Sequence, residues 1–584
     1  MQVPVVSSRE SWKRKKTKSL RKFKDNARGC RSFFTLWSKS LQKIGGNFGG
    51  GVQSYFLFLR FLVVLNFVSF LLIAGFVLIP SINACKDHEA FLLLCFLGPK
   101  ECMDYDPNPQ GLVVFYNYFL NLLSGTGFME YSYLFYGYYN NTTVEDRNFY
   151  NIPLAYLFTA IFYFAFCLIC IIARSVPERT GSILLIKMQR VCVCVCVRGD
   201  LSHLVDLEEE SIKKRAAALT LCQKIVLYAL RVSMCFGSFG LIIAAFYGIF
   251  VATDFSQVNY VKGDGEQGIL GLIFQYLPSI VITAGNFLVP LLCDQIALIE
   301  RYAPSTTVIV ALLRAVFLRL VSLGVLLFTL WSQITCAGDT KKKDCTLCQY
   351  NYKLYPCWET RVGQEMYKLT LFDLLINIVV LVLVEFPRRM VVDNWSSKLA
   401  QWVGRQEFVV PANVLGLVYG QTVVWTGALF CPLLPLINTI KFVLLFYFKK
   451  ITLFYNCRPA LKTFRSTTST FFFLVVLLFG WGLATVVMVY SLAEIHPSMG
   501  CGPFRFFPSM WSIVPTSFYN LSEITQEFLF FIGSQAFSIP LFVLSCVVMC
   551  YFITLASVYG KSVAMLRAQL KLVSCWHLPK WCSV

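Results

Sequence analysis

Ten apolar stretches, each near 20 residues in length, constrain the fold of this chain more than any other feature. A bilayer core is about 30 Å thick, and a helix needs about 20 residues to cross it. Backbone groups in lipid must pair within their own segment, which predicts helices. We therefore predict ten transmembrane helices, numbered as spans one to ten: 55–80, 152–174, 231–252, 269–292, 305–332, 366–386, 411–430, 432–448, 469–492 and 531–558.

The composition agrees with a chain that lies mostly in lipid. Charged residues make up 14% of the 584 residues, whereas a soluble protein uses roughly a quarter. Hydrophobic residues make up 57% of the chain and include 53 phenylalanines. The sequence predicts an all-α polytopic membrane protein, and this excludes most soluble enzyme classes.

The charges that flank the spans predict their orientation. Residues 1–54 hold 13 Lys and Arg against two acids, which favours the cytosolic side of an anionic membrane. Nucleic-acid binding is the alternative for a basic tail, but the adjoining span argues against it. Because the number of spans is even, we predict that both termini are cytosolic.

Loop charges and glycosylation sequons agree with this orientation. Loop 81–151 holds three Lys and Arg against eight acids, and segment 449–468 holds five basic residues and no acid. Asn-X-Ser/Thr sequons are glycosylated where a loop faces the secretory lumen. We predict glycosylation of the outer loops at Asn140, Asn141 and Asn520.

Three regions follow from these assignments. Residues 1–54 form a basic cytosolic segment, 55–558 form the ten-span domain, and 559–584 form a short cytosolic tail. The predicted outer loops are 81–151, 253–268, 333–365 and 493–530, and the predicted inner loops are 175–230, 293–304, 387–410 and 449–468.

Two cytosolic stretches, 33–41 and 388–405, have the apolar spacing of amphipathic helices that lie along a membrane surface. Packing against neighbouring loops is the alternative explanation. The glycine-rich segment 45–51 is predicted to be a hinge into span one, and VCVCVCV at 191–197 suggests no function. The residues that share the apolar faces are Phe33, Leu36, Trp37 and Leu41 in the first stretch and Val391, Trp395, Leu399 and Trp402 in the second.

Four cysteines cluster in the outer loop between spans five and six. Their CxxC spacing is compatible with a zinc site, whereas the oxidising side of the membrane favours disulfides. Four other cysteines lie on or near the outer face, Cys85, Cys95, Cys102 and Cys501; they allow bridges between loops, and the spacing alone does not define the pairing. The disulfide candidates are Cys336, Cys345, Cys348 and Cys357.

Polar residues at membrane depth are concentrated in spans four to eight. Such residues are costly in lipid, so they usually face the bundle interior or water. Their grouping in consecutive spans predicts a hydrophilic pathway through spans four to seven. The predicted lining residues are Thr283, Asn286, Asp373, Asn377, Glu385, Gln421 and Thr426, and the predicted buried charge partners are Lys441, Asn438, Arg314 and Arg319.

Lys441 and Asp373 have comparable predicted depths. At a rise of 1.5 Å per residue, Asp373 lies about 10 Å and Lys441 about 15 Å below the outer ends of their spans. We interpret Lys441 as an internal counter-charge to Asp373, with direct contact to a permeating ion as the alternative. Arg314 and Arg319 are further candidate partners of Asp373 or Glu385.

The chain has no sequence pattern of an enzyme or an ATP-driven pump. There is no HExxH zinc motif and no GxxxxGK[ST] phosphate loop among its residues. We therefore expect no catalytic residue, no cofactor and no bound metal.

Five motifs in sequence order resemble the transmembrane channel-like family. They run from residue 125 to residue 506, a range that includes eight of the ten predicted spans. The motifs are GTGFMEYSYLFYGYY (125–139), CWETRVGQEMYKL (357–369), NVLGLVYGQTVVWTG (413–427), CPLLPLINTIKFVLLFYFKK (431–450) and CGPFRF (501–506).

The resemblance implies an architecture similar to the anoctamin (TMEM16) and OSCA/TMEM63 families, with ten spans. It implies a homodimer joined through the last span, with one pathway per protomer lined by spans four to seven. It also implies a cytosolic EF-hand calcium-binding partner and membrane accessory subunits, besides membrane lipids. No nucleic-acid partner is expected.

The functional expectation is a mechanosensitive, cation-permeable channel in the plasma membrane. Two alternatives stay open, a phospholipid scramblase that uses the same groove and a non-conducting scaffold, for example for zinc transport. A directly calcium-gated site needs several oxygen ligands, and Lys441 occupies span eight where an acid would serve. Cation selectivity also needs negative charge along the pathway, which Arg314, Arg319 and Lys441 oppose.

Overall fold

The structure is a computed structural model, and it describes part of the chain. The described residues are 36–84, 102, 115–139, 143–144, 150–175, 220–262, 269–300, 304–336, 345–394, 406–458, 466–519, 521–537, 539–540, 543–544 and 547. Several predictions fall outside these residues: the sequons at Asn140, Asn141 and Asn520, segment 191–197, most of span ten, the tail 559–584, and Phe33, Trp395, Leu399 and Trp402.

The described residues are mostly helical. Short π-helical turns at Ala74–Leu78, Leu381–Glu385 and Thr452–Asn456 interrupt or extend three of the helices. The helices are α1 (Ser38–Phe48), α2 (Gly50–Ile73), α3 (Ile79–Ala84), α4 (Phe115–Ser124), α5 (Ile152–Ser175), α6 (Leu221–Lys262), α7 (Ile269–Ile299), α8 (Pro304–Ile334), α9 (Trp358–Val380), α10 (Phe386–Asn394), α11 (Val410–Gly427), α12 (Leu434–Ile451), α13 (Ser466–Ala493), α14 (Ile513–Tyr519) and α15 (Glu523–Gly533).

Seven of these helical segments are long and apolar enough to cross a bilayer. They begin with α2, α5, α6, α7, α8, α9 and α13, which correspond to spans one to six and span nine. This confirms an all-α polytopic membrane protein. The two helices at spans seven and eight, α11 and α12, have 18 residues each and are not among these seven. That the chain has ten spans and that both termini are cytosolic stay predictions.

Helix α9 begins at Trp358, eight residues before the start that hydropathy predicts for span six. The first part of α9 is polar, but the protein buries it: Glu359, Gln364, Glu365 and Lys368 are each at most 1% exposed. Hydropathy places span ends by contact with lipid, so it misses a helix end that packs inside protein. Asp373 therefore lies about 22 Å along α9 from its first residue.

The amphipathic helix at the N-terminal side is shifted along the chain. It begins at Ser38, and it includes most of the predicted glycine hinge. The break between α1 and α2 is at Gly49, whose φ of 85° is a conformation that favours glycine. The predicted hinge therefore narrows to one residue, while Leu41 and Ile44 form the buried face of α1.

Two very short strand pairs complete the secondary structure of the described residues. β1 (Thr143–Val144) pairs antiparallel with β2 (Tyr150–Asn151) just before α5. β3 (Gln406–Glu407) pairs parallel with β4 (Cys457–Arg458), which ties the start of α11 to the end of α12.

Three disulfides join the segments that the sequence assigns to the outer face. They are Cys102–Cys348, Cys336–Cys345 and Cys357–Cys501, so all four disulfide candidates are bridged. The zinc alternative is wrong for these cysteines, because a sulfur in a disulfide is not a thiolate ligand. Glu359 also lies close to the sulfurs of Cys357 and Cys501, and the same argument excludes a metal there.

The helices form two groups, a densely packed group around α11 and a second group, α6 to α8, that is packed less extensively against the rest. Helix α11 is at the centre of the densely packed group, where it packs against α2, α8, α9, α12 and α13. Helices α6, α7 and α8 pack mainly against one another, through a small core of Ile242, Val289, Cys293 and Leu318. Only 17% of the apolar window of α6 is buried, against 39% in α2, so α6 exposes the larger lipid-facing surface. Residues from Ser512 onward form a separate compact unit that contains α14 and α15.

Candidate functional site

The candidate site is centred on α11, which is buried on nearly every face. Two glycines of this helix let neighbouring side chains approach its backbone closely. The Lys441 Nζ lies 3.0 Å from the position that a Cβ at Gly420 would take, and Arg319 Nη1 lies 3.6 Å from that of Gly416. Arg319 of α8 and Lys441 of α12 therefore both approach the α11 backbone at the two glycines of the GLVYG stretch.

An ion pair joins α9 to α12. Lys441 Nζ lies 2.7 Å from Asp373 Oδ2, so the two residues that the sequence analysis paired are in contact. The Lys441 side chain is 3% exposed and the Asp373 side chain is 31% exposed. Lys441 is therefore enclosed in the bundle, whereas the carboxylate of Asp373 has an open side.

Polar groups from α8 and α11 lie near Asp373. Arg319 and Tyr419 both lie within electrostatic reach of its carboxylate, and Asn286 of α7 lies beside the Tyr419 hydroxyl. These groups come from spans four, five and seven, and Asp373 comes from span six. The four spans predicted to line a pathway are therefore linked by these polar side chains.

Three buried amides form a separate cluster behind this position. Gln421 exchanges hydrogen bonds with Asn66, at 2.6 Å and 3.3 Å, and accepts one from Asn438 Nδ2 at 3.5 Å. All three residues are at most 1% exposed. They connect α2, α11 and α12, on the side of α11 that faces span one.

Two predicted lining residues, Gln421 and Thr426, do not line a pathway in this conformation. Gln421 is 0% exposed and Thr426 is 3% exposed. The Thr426 hydroxyl donates to the Thr422 carbonyl within α11, at 2.9 Å. Both side chains satisfy polar groups inside the bundle, so we assign them to packing.

Two other predicted lining residues, Asn377 and Thr283, are partly exposed. The Asn377 amide donates to the Asp373 carbonyl at 2.7 Å, and the Thr283 hydroxyl donates to the Ser279 carbonyl at 2.7 Å. Each side chain therefore satisfies a hydrogen-bond donor within its own helix. Their lining role stays a prediction.

Glu385, another predicted lining residue, is buried at the inner end of the α9 segment. It is 5% exposed and accepts a hydrogen bond from the Thr452 hydroxyl. Glu385 ends the π-helical turn Leu381–Glu385, and Thr452 begins the π-helical turn Thr452–Asn456. Two π-turns, a rare feature often found at functional positions, are thus bonded to each other.

Arg314 has a partner other than Asp373 or Glu385. Its Nη2 lies 2.6 Å from Glu300 Oε1, across the turn between α7 and α8. Arg231 of α6 donates from Nε to the Glu300 carbonyl at 3.2 Å. These contacts fasten one end of the α6–α8 group, so Arg314 has a structural role there.

Sequence reasoning missed Asn66 and Tyr419. Asn66 is a single amide in the apolar run of span one, and it was overlooked because the search concentrated on spans four to eight. Tyr419 has the apolar body typical of a packing residue, and its hydroxyl gives no sequence signal. Its position between Gly416 and Gly420 was the one available indication.

The outer end of α9 carries a second polar cluster with a fastening role. Ser498 donates to the Glu359 carboxylate from its N–H at 2.8 Å and from its hydroxyl. Lys368 Nζ lies 2.6 Å from Glu365 Oε1, and both side chains are 1% exposed. Nearby, Tyr350 accepts from the Met499 N–H, and burial raises the pKa of Tyr350 to about 12. These groups hold the outer segments together.

The fold and the polar position define a channel-like membrane protein: apolar helices enclose a partly exposed ionic position at membrane depth. The residues 357–467, which include this position, match the TMC domain family model. Because this model covers only part of the chain, the relatives that follow are what show that the chain belongs to the transmembrane channel-like family.

Relatives extend this match over nearly the whole chain. The human protein named voltage-gated chloride channel TMC4 is 41% identical, over 96% of this chain and 80% of its own length. The mouse protein of the same name is 42% identical, over 92% of this chain and 78% of its own length. Human transmembrane channel-like protein 8 is 36% identical, over 97% of this chain and 80% of its own length.

Proposed function

We propose that this channel-like protein conducts anions along a path between α7, α8, α9 and α11. The observation that carries the proposal is the charge at the meeting point of these helices. Arg319 and Lys441 contribute two positive charges there, and Asp373 contributes one negative charge. The described charges at this position therefore sum to +1.

A single positive charge matters more at this depth than at the surface. Two unit charges 4 Å apart interact by about 4 kcal/mol at an effective dielectric constant of 20, against about 1 kcal/mol in water. Anion pores use Arg and Lys along the path for this reason. The relative named a voltage-gated chloride channel supports the same sign of charge.

The expectation of cation permeability does not gain support from this geometry. Its strongest candidate was Asp373, and Lys441 neutralises that carboxylate at 2.7 Å. Glu385, the second acidic candidate, is buried against Thr452. Mechanosensitivity and the plasma-membrane location stay predictions, as do the homodimer, the EF-hand partner and the accessory subunits.

The test is the reversal potential of purified protein in a planar bilayer that separates two KCl concentrations. We expect reversal near the chloride equilibrium potential. Reversal near the potassium equilibrium potential would overturn the proposal and support the cation expectation. Gly324→Ala serves as a control variant that should behave as the wild type does, because a methyl group at this position of α8 meets no atom within 4 Å.

The same preparation separates the two alternatives. Liposomes that contain a fluorescent lipid report scrambling by exposure of that lipid to a membrane-impermeant quencher, and an anion-sensitive dye reports halide flux. We expect halide flux. Lipid exchange without halide flux would support the scramblase, and neither activity would support the scaffold.

A further inference from the structure

We propose that Arg319, Tyr419 and Asn286 form a halide-binding site beside the Lys441–Asp373 ion pair. This inference rests on the proposed anion conduction and identifies where an anion binds on its path. The three residues come from α8, α11 and α7, so the site needs all three helices.

The first argument is the unpaired polar atoms of these residues. Arg319 Nε, Tyr419 Oη and Asn286 Oδ1 are buried, and among the described residues none of these atoms makes a hydrogen bond of standard geometry, although the Asn286 amide lies beside the Tyr419 hydroxyl. A buried polar group without a partner costs about 1–3 kcal/mol. Three such atoms on adjoining helices indicate that a bound species satisfies the groups that carry them.

The second argument is the enclosure of Tyr419. Its side chain is 7% exposed, yet its hydroxyl lies within reach of Asp373 and Arg319 and beside Asn286. The hydroxyl of Tyr419 therefore lies among charged and polar side chains, whereas the equally buried hydroxyl of Tyr163 lies beside Cys167 and an apolar cavity.

The third argument is the excess of donors. A guanidinium carries five N–H donors, a phenol one O–H donor, and an amide two N–H donors. Among the described residues, the acid near this group is Asp373, and Lys441 binds it. A donor-rich group with a full positive charge fits an anion and repels a cation. Rotation of the Asn286 amide turns its N–H groups toward the same space, since amide orientation is assigned from the hydrogen-bond network.

The close approach at Gly416 limits the size of the ion. Arg319 Nη1 lies 3.6 Å from the position of a Cβ at Gly416, so this end of the guanidinium lies against the α11 backbone. The Nε of the same guanidinium has no hydrogen-bond partner among the described residues. This fits a monatomic halide, which accepts hydrogen bonds from any direction and needs no defined acceptor geometry.

The test compares Tyr419→Phe with Tyr163→Phe. Both tyrosines are buried and neither hydroxyl has a hydrogen-bond partner, but Tyr163 lies on α5, beside a small cavity lined by Ile73 and Val77. We expect Tyr419→Phe to raise the chloride concentration for half-maximal conductance by about tenfold, the loss typical of one hydrogen bond to a charged group. Tyr163→Phe should leave it unchanged.

A binding measurement keeps the test independent of conduction. Replacement of gluconate by chloride should raise the melting temperature of the wild type, because a ligand that binds the folded state stabilises it. That rise should become smaller in Tyr419→Phe and in Asn286→Ala. Arg319→Lys should keep anion selectivity and weaken binding, because it keeps the charge but loses the planar fork.

The outcomes separate this site from the proposed function. If the wild type passes chloride but Tyr419→Phe and Tyr163→Phe have the same half-saturation and the same chloride-dependent melting, the site is wrong and anion conduction stands. If the wild type reverses at the potassium potential and chloride does not stabilise it, both proposals are wrong.

Discussion

The two halves of α9 differ in burial, in polar chemistry and in their contacts. In the outer half, Trp358–Thr370, nearly every residue is buried, including two acids and one lysine. In the inner half, from Leu371 to Val380, nearly every residue is partly or fully exposed. One helix therefore serves as an anchor at one end and as a wall at the other.

The outer half is fixed by several independent contacts. The Cys357–Cys501 disulfide precedes its first residue, and Glu359 accepts two hydrogen bonds from Ser498. Trp358 Nε1 donates to the His496 carbonyl at 3.0 Å. Glu365 and Lys368 form a closed ion pair. Each of these side chains has a partner within the protein, and among the buried polar atoms of this half Glu365 Oε2 has no hydrogen-bond partner.

The inner half has fewer partners and more open surface. Asp373 is held by one contact, with Lys441, and keeps an exposed side. The segment then continues into the π-turn that contains Glu385. The contrast teaches that the number of polar residues in a span does not locate a pathway, because the more polar half of α9 is the closed half.

The largest effect is expected at the ion pair of the inner half, between Asp373 and Lys441. Asp373→Asn leaves the enclosed Lys441 charge without its partner, and breaking a buried pair in this way costs about 3–5 kcal/mol. The double variant Asp373→Asn/Lys441→Met removes both charges and should recover most of the loss. Thermal unfolding of both variants in detergent measures this. Equal melting temperatures for the single and the double variant would show that the pair is not coupled.

The outer half should lose stability without a change in selectivity when its disulfide is removed. Cys357→Ser/Cys501→Ser opens a bridge between residues 144 apart, and loss of a native disulfide costs about 2–5 kcal/mol. Cys336→Ser/Cys345→Ser is the matched control, because its bridge spans only nine residues and so constrains the unfolded chain less. Melting temperature and reversal potential are both measured. A shifted reversal potential in the first variant would place the outer half on the path.

Close packing of the outer half predicts a strong response to one added methyl group. A Cβ at Gly363 would lie 2.7 Å from the Phe430 carbonyl oxygen, and backbone cannot move aside as a flexible side chain can. Gly363→Ala should therefore cost about 1–3 kcal/mol. Gly324→Ala in α8 meets no atom and should be neutral or stabilising by up to about 1 kcal/mol. A melting temperature of Gly363→Ala at or above that of Gly324→Ala would contradict the packing argument.

The smallest effect is expected where the N-terminal residue Trp37 contacts α12, the helix that carries Lys441. Trp37 stacks on Phe446 with ring centroids 3.7 Å apart, and its indole donates to the Tyr447 hydroxyl at 3.3 Å. Trp37→Ala should weaken the docking of α1 by about 0.5–1.5 kcal/mol beyond the lost area. Limited proteolysis of the N-terminal segment should become faster, while Leu36→Ala, at a 40% exposed side chain, should not change it. Equal rates would show that the stack does not hold α1.

Sequence reasoning identified the membrane class and the pairing of Lys441 with Asp373. Both depend on strong signals: long apolar runs, and two opposite charges at comparable depth in neighbouring polar spans. It did not predict that the Gln421 side chain of α11 is enclosed in the bundle. A helix that is buried on nearly every side has no apolar stripe, so periodicity does not tell which polar group turns toward a path.

Two further features were beyond the sequence for different reasons. The pairing of the cysteines depends on how distant loops meet, and spacing gives no connectivity. The outer start of α9 is polar and buried in protein, so hydropathy treats it as loop. The sign of selectivity followed only when the structure showed that Lys441 neutralises Asp373 and that Arg319 lies near the same carboxylate.

The most direct test of this account is the chemical accessibility of the two halves of α9. Asn377→Cys in the inner half and Gln364→Cys in the outer half are exposed to a negatively and a positively charged methanethiosulfonate, with the wild-type response subtracted. We predict that Asn377→Cys is modified, faster by the negative reagent, and that Gln364→Cys is protected. Faster modification by the positive reagent, or equal modification of both positions, would contradict an anion path along the inner half of α9.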